Sequence, residues 1–259
     1  MKEEHLWCSP VLNREGMRMQ RKPQESGPNT IVMYEDSQSK QNPKRNFICF
    51  GSPRCGTSMV AGAMVGLGID MGDNLPVNIE DPAFNPDGKR HDRPAFIDGA
   101  RARIQKQAEK GVIWGWKYPQ AVEYLQDIRD ELVSPRLIIV YRDPVPAVIR
   151  AVAGKTAQTE IDKVGVSELD KIFTLYTQNL ALAKSWKVPT MLVSYERASK
   201  FPGKFLHELA GFVGLPVPIN PTPILDFMKP GNYKVPPYPE NYGIAPSENN
   251  SGFLRAEDG

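Results

Sequence analysis

Three cysteines and three histidines are all that 259 residues offer of the side chains that make disulfide frameworks and many metal clusters. Three thiols cannot complete a set of bridges, so the chain is no disulfide scaffold, and Cys49 and Cys55 read as reduced thiols of a cytosolic protein. No spacing of Cys, His, Asp or Glu matches a metal site. An excess of one charge is missing too. Lys and Arg number 32 against 30 Asp and Glu, which excludes the global field of a nucleic-acid binder and leaves basic character to be local. No apolar run approaches the length of a membrane span, and Met1-Lys-Glu-Glu-His lacks the apolar stretch of a signal peptide, so a cytoplasmic protein is expected. No internal repeat is present. The length suits one substantial core, in one domain or at most two.

What the chain does contain begins at Phe47-Ile-Cys-Phe-Gly-Ser-Pro-Arg-Cys-Gly-Thr-Ser-Met-Val60. Four apolar residues precede Gly51 as a buried strand, and from Thr57 onward Met59, Val60, Ala63, Met64 and Leu67 recur at helical spacing until Gly68 closes the helix. A strand, a glycine-bounded loop and a helix N-terminus aim backbone N–H groups at one spot, where the helix dipole also favours an anion. The spacing Gly51-x4-Gly56-Thr57-Ser58 nearly matches the nucleotide pattern G-x-x-x-x-G-K-S/T, but Thr57 stands where the lysine belongs and the cation has moved to Arg54. Without that lysine, ordinary phosphoryl transfer is disfavoured and a less highly charged donor fits better.

At this point the residues resemble a family. Gly51-Ser-Pro-Arg-Cys-Gly-Thr-Ser58 is similar to the 5′-phosphosulfate loop of sulfotransferases that use 3′-phosphoadenosine 5′-phosphosulfate (PAPS), with Gly51, Ser52, Pro53, Arg54, Cys55, Gly56, Thr57 and Ser58 as its donor-binding residues. Leu137-Ile-Ile-Val-Tyr-Arg-Asp-Pro144, a second apolar strand that delivers Arg142 before a proline-led helix, resembles the family's 3′-phosphate segment. An arginine fork suits bidentate phosphate binding. Where the family usually has a serine eight residues further on, this chain has Arg150, either a second charge on that phosphate or a solvated helix residue. Trp114-Gly-Trp-Lys-Tyr-Pro119 resembles W-G-x-K-D-P, matching at Lys117 and departing at Tyr118, and Val193-Ser-Tyr-Glu-Arg197 resembles Y-E-D-L, with Tyr195 matched to the tyrosine near the adenine.

The resemblance also implies a proton acceptor. Asn85-Pro-Asp-Gly-Lys-Arg-His-Asp-Arg93 is similar to N-P-x-G-x-x-E, in which His91 takes the place of the glutamate near the acceptor hydroxyl. An imidazole serves that role as a carboxylate does; a lone His in a polar loop is otherwise solvated and idle. Asp92 and Glu80 stand in reserve, as partner of His91 or as the base itself. Cys55 beside Arg54 reads either as a nucleophile or, where the family commonly has serine, as a loop-filling residue. His207 falls on the flank of an amphipathic helix and His5 in a polar tail.

Between the motifs, helical patterns at about 94–110, 120–132, 144–153, 166–186 and 201–213 alternate with strands at about 47–50, 112–116, 137–141 and 190–194. Such alternation predicts an α/β three-layer sandwich around a central parallel sheet. Residues 1–45 read as a flexible or surface-draped arm, 46–235 as the catalytic domain, and the proline- and asparagine-rich 236–259 as a tail or acceptor-site cover. The resemblance implies PAPS as donor, 3′,5′-bisphosphate (PAP) as product and no metal, with a hydroxyl or amine of a small molecule, lipid or carbohydrate as acceptor. Arg54, His91 and Lys117 would carry the catalysis. Two rivals remain open: a divergent P-loop nucleotide kinase, and a nucleotide-binding module without transfer activity that controls a partner through its arm.

Overall fold

The computed structural model describes residues 27–36, 42–73, 75–89, 91–152, 161–230 and 237–238. Apolar strands that alternate between two buried faces need a helical layer on each side, and the chain supplies both. The strands are β1 (Thr30–Met33), β2 (Asn46–Phe50), β3 (Trp114–Lys117), β4 (Pro135–Tyr141) and β5 (Thr190–Ser194), ordered β1-β5-β4-β2-β3 in one sheet. On one face Phe47, Cys49, Ile138, Val140, Met191 and Val193 pack against α1 (Thr57–Gly66), α6 (Pro202–Val213) and α7 (Thr222–Met228). On the other, Ile48, Phe50, Leu137, Ile139, Trp114 and Trp116 pack against α2 (Arg93–Lys110) and the end of α4 (Ile161–Trp186). The remaining helices are α3 (Pro144–Val152), which packs on α4, and the short α5 (Tyr195–Lys200).

β2, β3, β4 and β5 run parallel, so their C-terminal ends share one edge: Cys49 lies beside Lys117, Phe50 beside Ile139 and Tyr141 beside Ser194. In open α/β sheets that edge is where ligands gather.

Three expectations change. The sheet is not wholly parallel, because β1 pairs antiparallel with β5 at its margin. That strand lies inside the stretch read as a flexible or surface-draped arm, and it is laid on the sheet margin, so the folded body includes residues before Asn46. Its anchors are long-range and invisible to periodicity: the Glu208 carboxylate accepts from the Asn29 N–H and the Thr30 hydroxyl, and the fully buried Arg136 pairs with Glu35 at 2.7 Å. Residues 120–132 form no α-helix but two 3₁₀ segments, 121–123 and 125–131. Their buried side chains, Ala121, Tyr124, Leu125 and Ile128, keep the i, i+3, i+4, i+7 spacing of an amphipathic α-helix, so the apolar pattern does not announce the tighter winding. At the other terminus, Pro237 lies at the C-terminal end of α1, beside Gly66, and Tyr238 packs on the same core; the rest of the expected cover lies outside the described residues.

α1 approaches α7 through Gly62 and Gly66. A Cβ at position 62 would stand 1.9 Å from the Phe227 ring and one at 66 would stand 2.5 Å from Ile224. Gly99, on the exposed side of α2, has nothing within 4 Å. The same substitution should therefore act with opposite signs. Gly62→Ala overpacks the core and costs about 1–3 kcal/mol, while Gly99→Ala gains about 0.5–1 kcal/mol of helix stability. Urea unfolding of both variants checks this, and a neutral Gly62→Ala would contradict the close helix contact.

Candidate active site

The loop between β2 and α1 is shaped by two left-handed residues, Arg54 (φ 65°) and Gly56 (φ 94°). Each keeps its conformation because something packs against it. The Tyr195 ring fills the space a side chain at 56 would occupy, with Cδ2 at 2.1 Å from the ideal Cβ position. Gly51 is closed off in the same way, by the Val140 carbonyl at 2.4 Å and Cys55 Sγ at 2.7 Å. α1 starts at Gly56 with no side chain capping its first amides, which leaves that turn open to an anion.

Cys55 Sγ accepts the Ser52 N–H at 3.2 Å, and burial pushes the thiol's pKa up against the opposing pull of the Ser52 and Thr57 amides and Lys117. Cys49 is pushed up as well, again first by burial. Both stay protonated at neutral pH, so Cys55 fills the loop and is no nucleophile.

Arg142 follows β4 directly and lies beneath the loop. Its Nη1 donates to the Arg54 carbonyl at 2.8 Å, its Cζ sits 4.7 Å from the centre of the Tyr195 ring, and its Nε is 3.9 Å from Glu196 Oε1. That Nε is buried without a hydrogen-bond acceptor. The Arg54 side chain is exposed and forms no ion pair with the described residues. Arg150 falls in the last turn of α3; its side chain lies outside the described residues.

Three residues that the sequence reading did not select complete the support. Asn179 of α4 donates to the Gly51 carbonyl at 2.7 Å, and the Tyr176 hydroxyl both accepts the Arg142 N–H (3.0 Å) and donates to the Arg142 carbonyl (2.6 Å). Burial raises the Tyr176 pKa and pushes Tyr141, which meets it edge-on, up to about 12, so the donating proton is retained. Glu196 accepts the Asp143 N–H at 2.9 Å. Tyr176 and Asn179 sit three apart on one helix face, a spacing that marks a face without naming its target.

Lys117 ends β3 with its side chain on the α1 side of the sheet, 2% exposed, and its Nζ is 2.6 Å from Glu80 Oε1. Glu80 Oε2 accepts from the Asn85 amide at 3.3 Å, and Ser58 donates to the Asn78 carbonyl at 3.2 Å. The segment before α2 is thus stitched to the first turn of α1 at Asn78 and to the end of β3 at Glu80. His91 is exposed and makes no hydrogen bond or ion pair with the described residues. Asp92 is engaged elsewhere: its Oδ1 caps α2 by accepting the Ala95 N–H at 3.1 Å. Tyr118, where the resemblance has aspartate, points its hydroxyl at Asp87 Oδ1, 3.4 Å away.

No protein-family model matches the chain, and no curated protein matches it. Among solved structures it is similar to the sulfotransferase domain of the olefin synthase of Synechococcus PCC 7002, with 18% identity and a TM-score of 0.48, over 75% of this chain and 80% of that one. Among the described residues no helix is long and apolar enough to cross a membrane.

Gly56 and Gly88 both have positive φ, but only Gly56 is packed against a ring; Gly88 has open space around it. Gly88→Ala should lose only the left-handed penalty, about 1–2 kcal/mol. Gly56→Ala should lose that and an overpacking cost of about 1–3 kcal/mol more. Equal losses in chemical denaturation would mean that Tyr195 yields freely and does not pin the loop.

Proposed function

We propose that this chain is a sulfotransferase that moves a sulfuryl group from PAPS to a hydroxyl, or an amine, of a small-molecule, lipid or carbohydrate acceptor in the cytoplasm. The observation that carries this reading is the lysine-free anion cradle joined to a second arginine. The amides of Gly56 to Ser58 and the exposed Arg54 offer one anion site, and Arg142 lies directly under it with a buried donor unused. Open helix amides and two arginines on one sheet edge suit a donor that carries both a 5′-phosphosulfate and a 3′-phosphate.

The donor supplies an activated sulfur bound to a good leaving group. Arg54, the loop amides and the hydroxyls of Thr57 and Ser58 would stabilise charge growing on the departing 5′-phosphate, because fixed donors in place before reaction need no reorganisation. Arg142 would grip the 3′-phosphate while keeping its bond to the Arg54 carbonyl, so one residue would couple both phosphate sites. Tyr195, already under Gly56 and Arg142, would border the adenosine.

PAP at about a hundred times its dissociation constant should stabilise the protein by about 2.7 kcal/mol. Arg54→Ala should weaken this and abolish turnover of PAPS. In paired titrations with PAP and adenosine 5′-monophosphate, Arg142→Ala should lose about one to two orders of magnitude for PAP beyond its loss for the monophosphate, since a charge-assisted contact contributes about 1.5–3 kcal/mol. Arg150→Ala should cost less. Equal losses of both ligands in Arg142→Ala would make that arginine a support for the loop alone, and Mg2+-dependent ATP turnover would favour a kinase instead.

A further inference from the structure

The ion pair between Lys117 and Glu80 is placed where the loop lacks its lysine. Lys117 lies beside Cys49 in the sheet register, and Cys49 Sγ is 3.8 Å from the Thr57 carbonyl, so the ammonium approaches the first turn of α1 from the neighbouring strand. Glu80 is held there by strain. Ile79 is buried at φ 58°, a conformation that a β-branched residue adopts only when its surroundings impose it. On either side of it, the Asn78 carbonyl receives Ser58 and the Glu80 carboxylate receives Lys117. Strain concentrated between a contact to the first turn of α1 and one to the end of β3 points to a carboxylate whose position matters. The other two candidates for proton acceptor are less well placed: Asp92 caps a helix, and His91 is exposed and has no partner among the described residues.

We propose that Lys117 is the cation missing from the loop and that Glu80 is its resting-state partner, released as the base when the donor binds. This rests on the sulfuryl-transfer reading. Lys117 exchanges its hydrogen bond from Glu80 to the phosphosulfate, and Glu80, still held by Asn85, is left as an uncompensated carboxylate beside the acceptor. In the transfer, the acceptor oxygen forms a bond to sulfur and its proton passes to Glu80. The bond from sulfur to the bridging phosphate oxygen breaks, and its electron pair stays on the phosphate. A base exposed only after donor binding would also keep Lys117 neutralised in the empty site.

The titratable groups around the pair are the thiols of Cys49 on β2 and Cys55 in the loop, the phenols of Tyr118 and Tyr124, and Asp81, which is itself bound to Arg103 at 2.8 Å. None of the thiols or phenols takes up a proton in the carboxylate range.

The test is calorimetric titration of the full chain with PAP, beside the release of PAP from PAPS. Glu80→Gln should bind PAP about tenfold more tightly, because nothing competes for Lys117, and should still turn over PAPS more slowly by roughly a hundredfold, because the base is gone. Lys117→Gln should bind PAP more weakly than the parent, and adding Glu80→Gln to it should bring no gain, since the competition needs both groups. A gain that persists in the double variant, or a Glu80→Gln protein that binds PAP no more tightly than the parent or keeps its turnover, overturns the proposal. Should Glu80→Gln fail to melt cooperatively, Glu80→Asp, which keeps the charge but shortens its reach to Lys117, must show the tighter binding instead. A parent that binds no PAP removes the donor reading and this inference together; a parent that binds PAP without the gain in the Glu80 variant removes the inference alone.

Discussion

The ring of Tyr195 occupies the space that a side chain at position 56 would need, and the Arg142 guanidinium lies 4.7 Å from the same ring. One aromatic plate at the end of β5 therefore fixes the loop after β2 and the arginine after β4, three segments far apart in sequence. Arg142 then reaches the Arg54 carbonyl, which helps hold a left-handed residue in place. An anion cradle binds well only when its donors are fixed before the ligand arrives, and this contact between ring, glycine and arginine is what fixes them. The α4 helix braces the assembly from the other side through Tyr176 and Asn179.

Charge placement follows from the same geometry. A lysine in the loop would enter the anion site from α1 itself, whereas Lys117 comes from β3 and needs a counter-ion because it is almost fully buried. Glu80 supplies that charge, on a segment that Phe84 ties to the sheet by stacking on Trp116, with centroids 4.3 Å apart, and that Asn78 ties to Ser58 of α1. Burial of the two loop-side thiols keeps them neutral, so they add no negative charge to this edge.

Much of the architecture was legible because strand and helix periods are local. β2, β4 and β5, the helix after Gly56 and the helix led by Pro144 each announce themselves by apolar spacing or by glycine and proline. The antiparallel β1 was not legible, since four residues in a polar stretch gain their order from Glu208 and Arg136, which lie over a hundred residues away. The 3₁₀ course of 121–131 was missed because its buried positions, 121, 124, 125 and 128, carry the spacing of an α-helix. At the site, the loop residues, Arg142, Lys117 and Tyr195 could be chosen by motif. Glu80 was named only as a reserve, because nothing in a sequence reports that Ile79 turns left-handed and directs the next carboxylate at Lys117.

The central claim is that the edge formed by Gly51 to Ser58 and Arg142 binds a nucleotide through its phosphates. A crystal structure of the full chain with PAP tests it most directly. The account predicts the 5′-phosphate within hydrogen-bond distance of the amides of Gly56 to Ser58, and the 3′-phosphate against the Arg142 guanidinium. PAP seated elsewhere, or an unchanged and ligand-free cradle at saturating PAP, would contradict it.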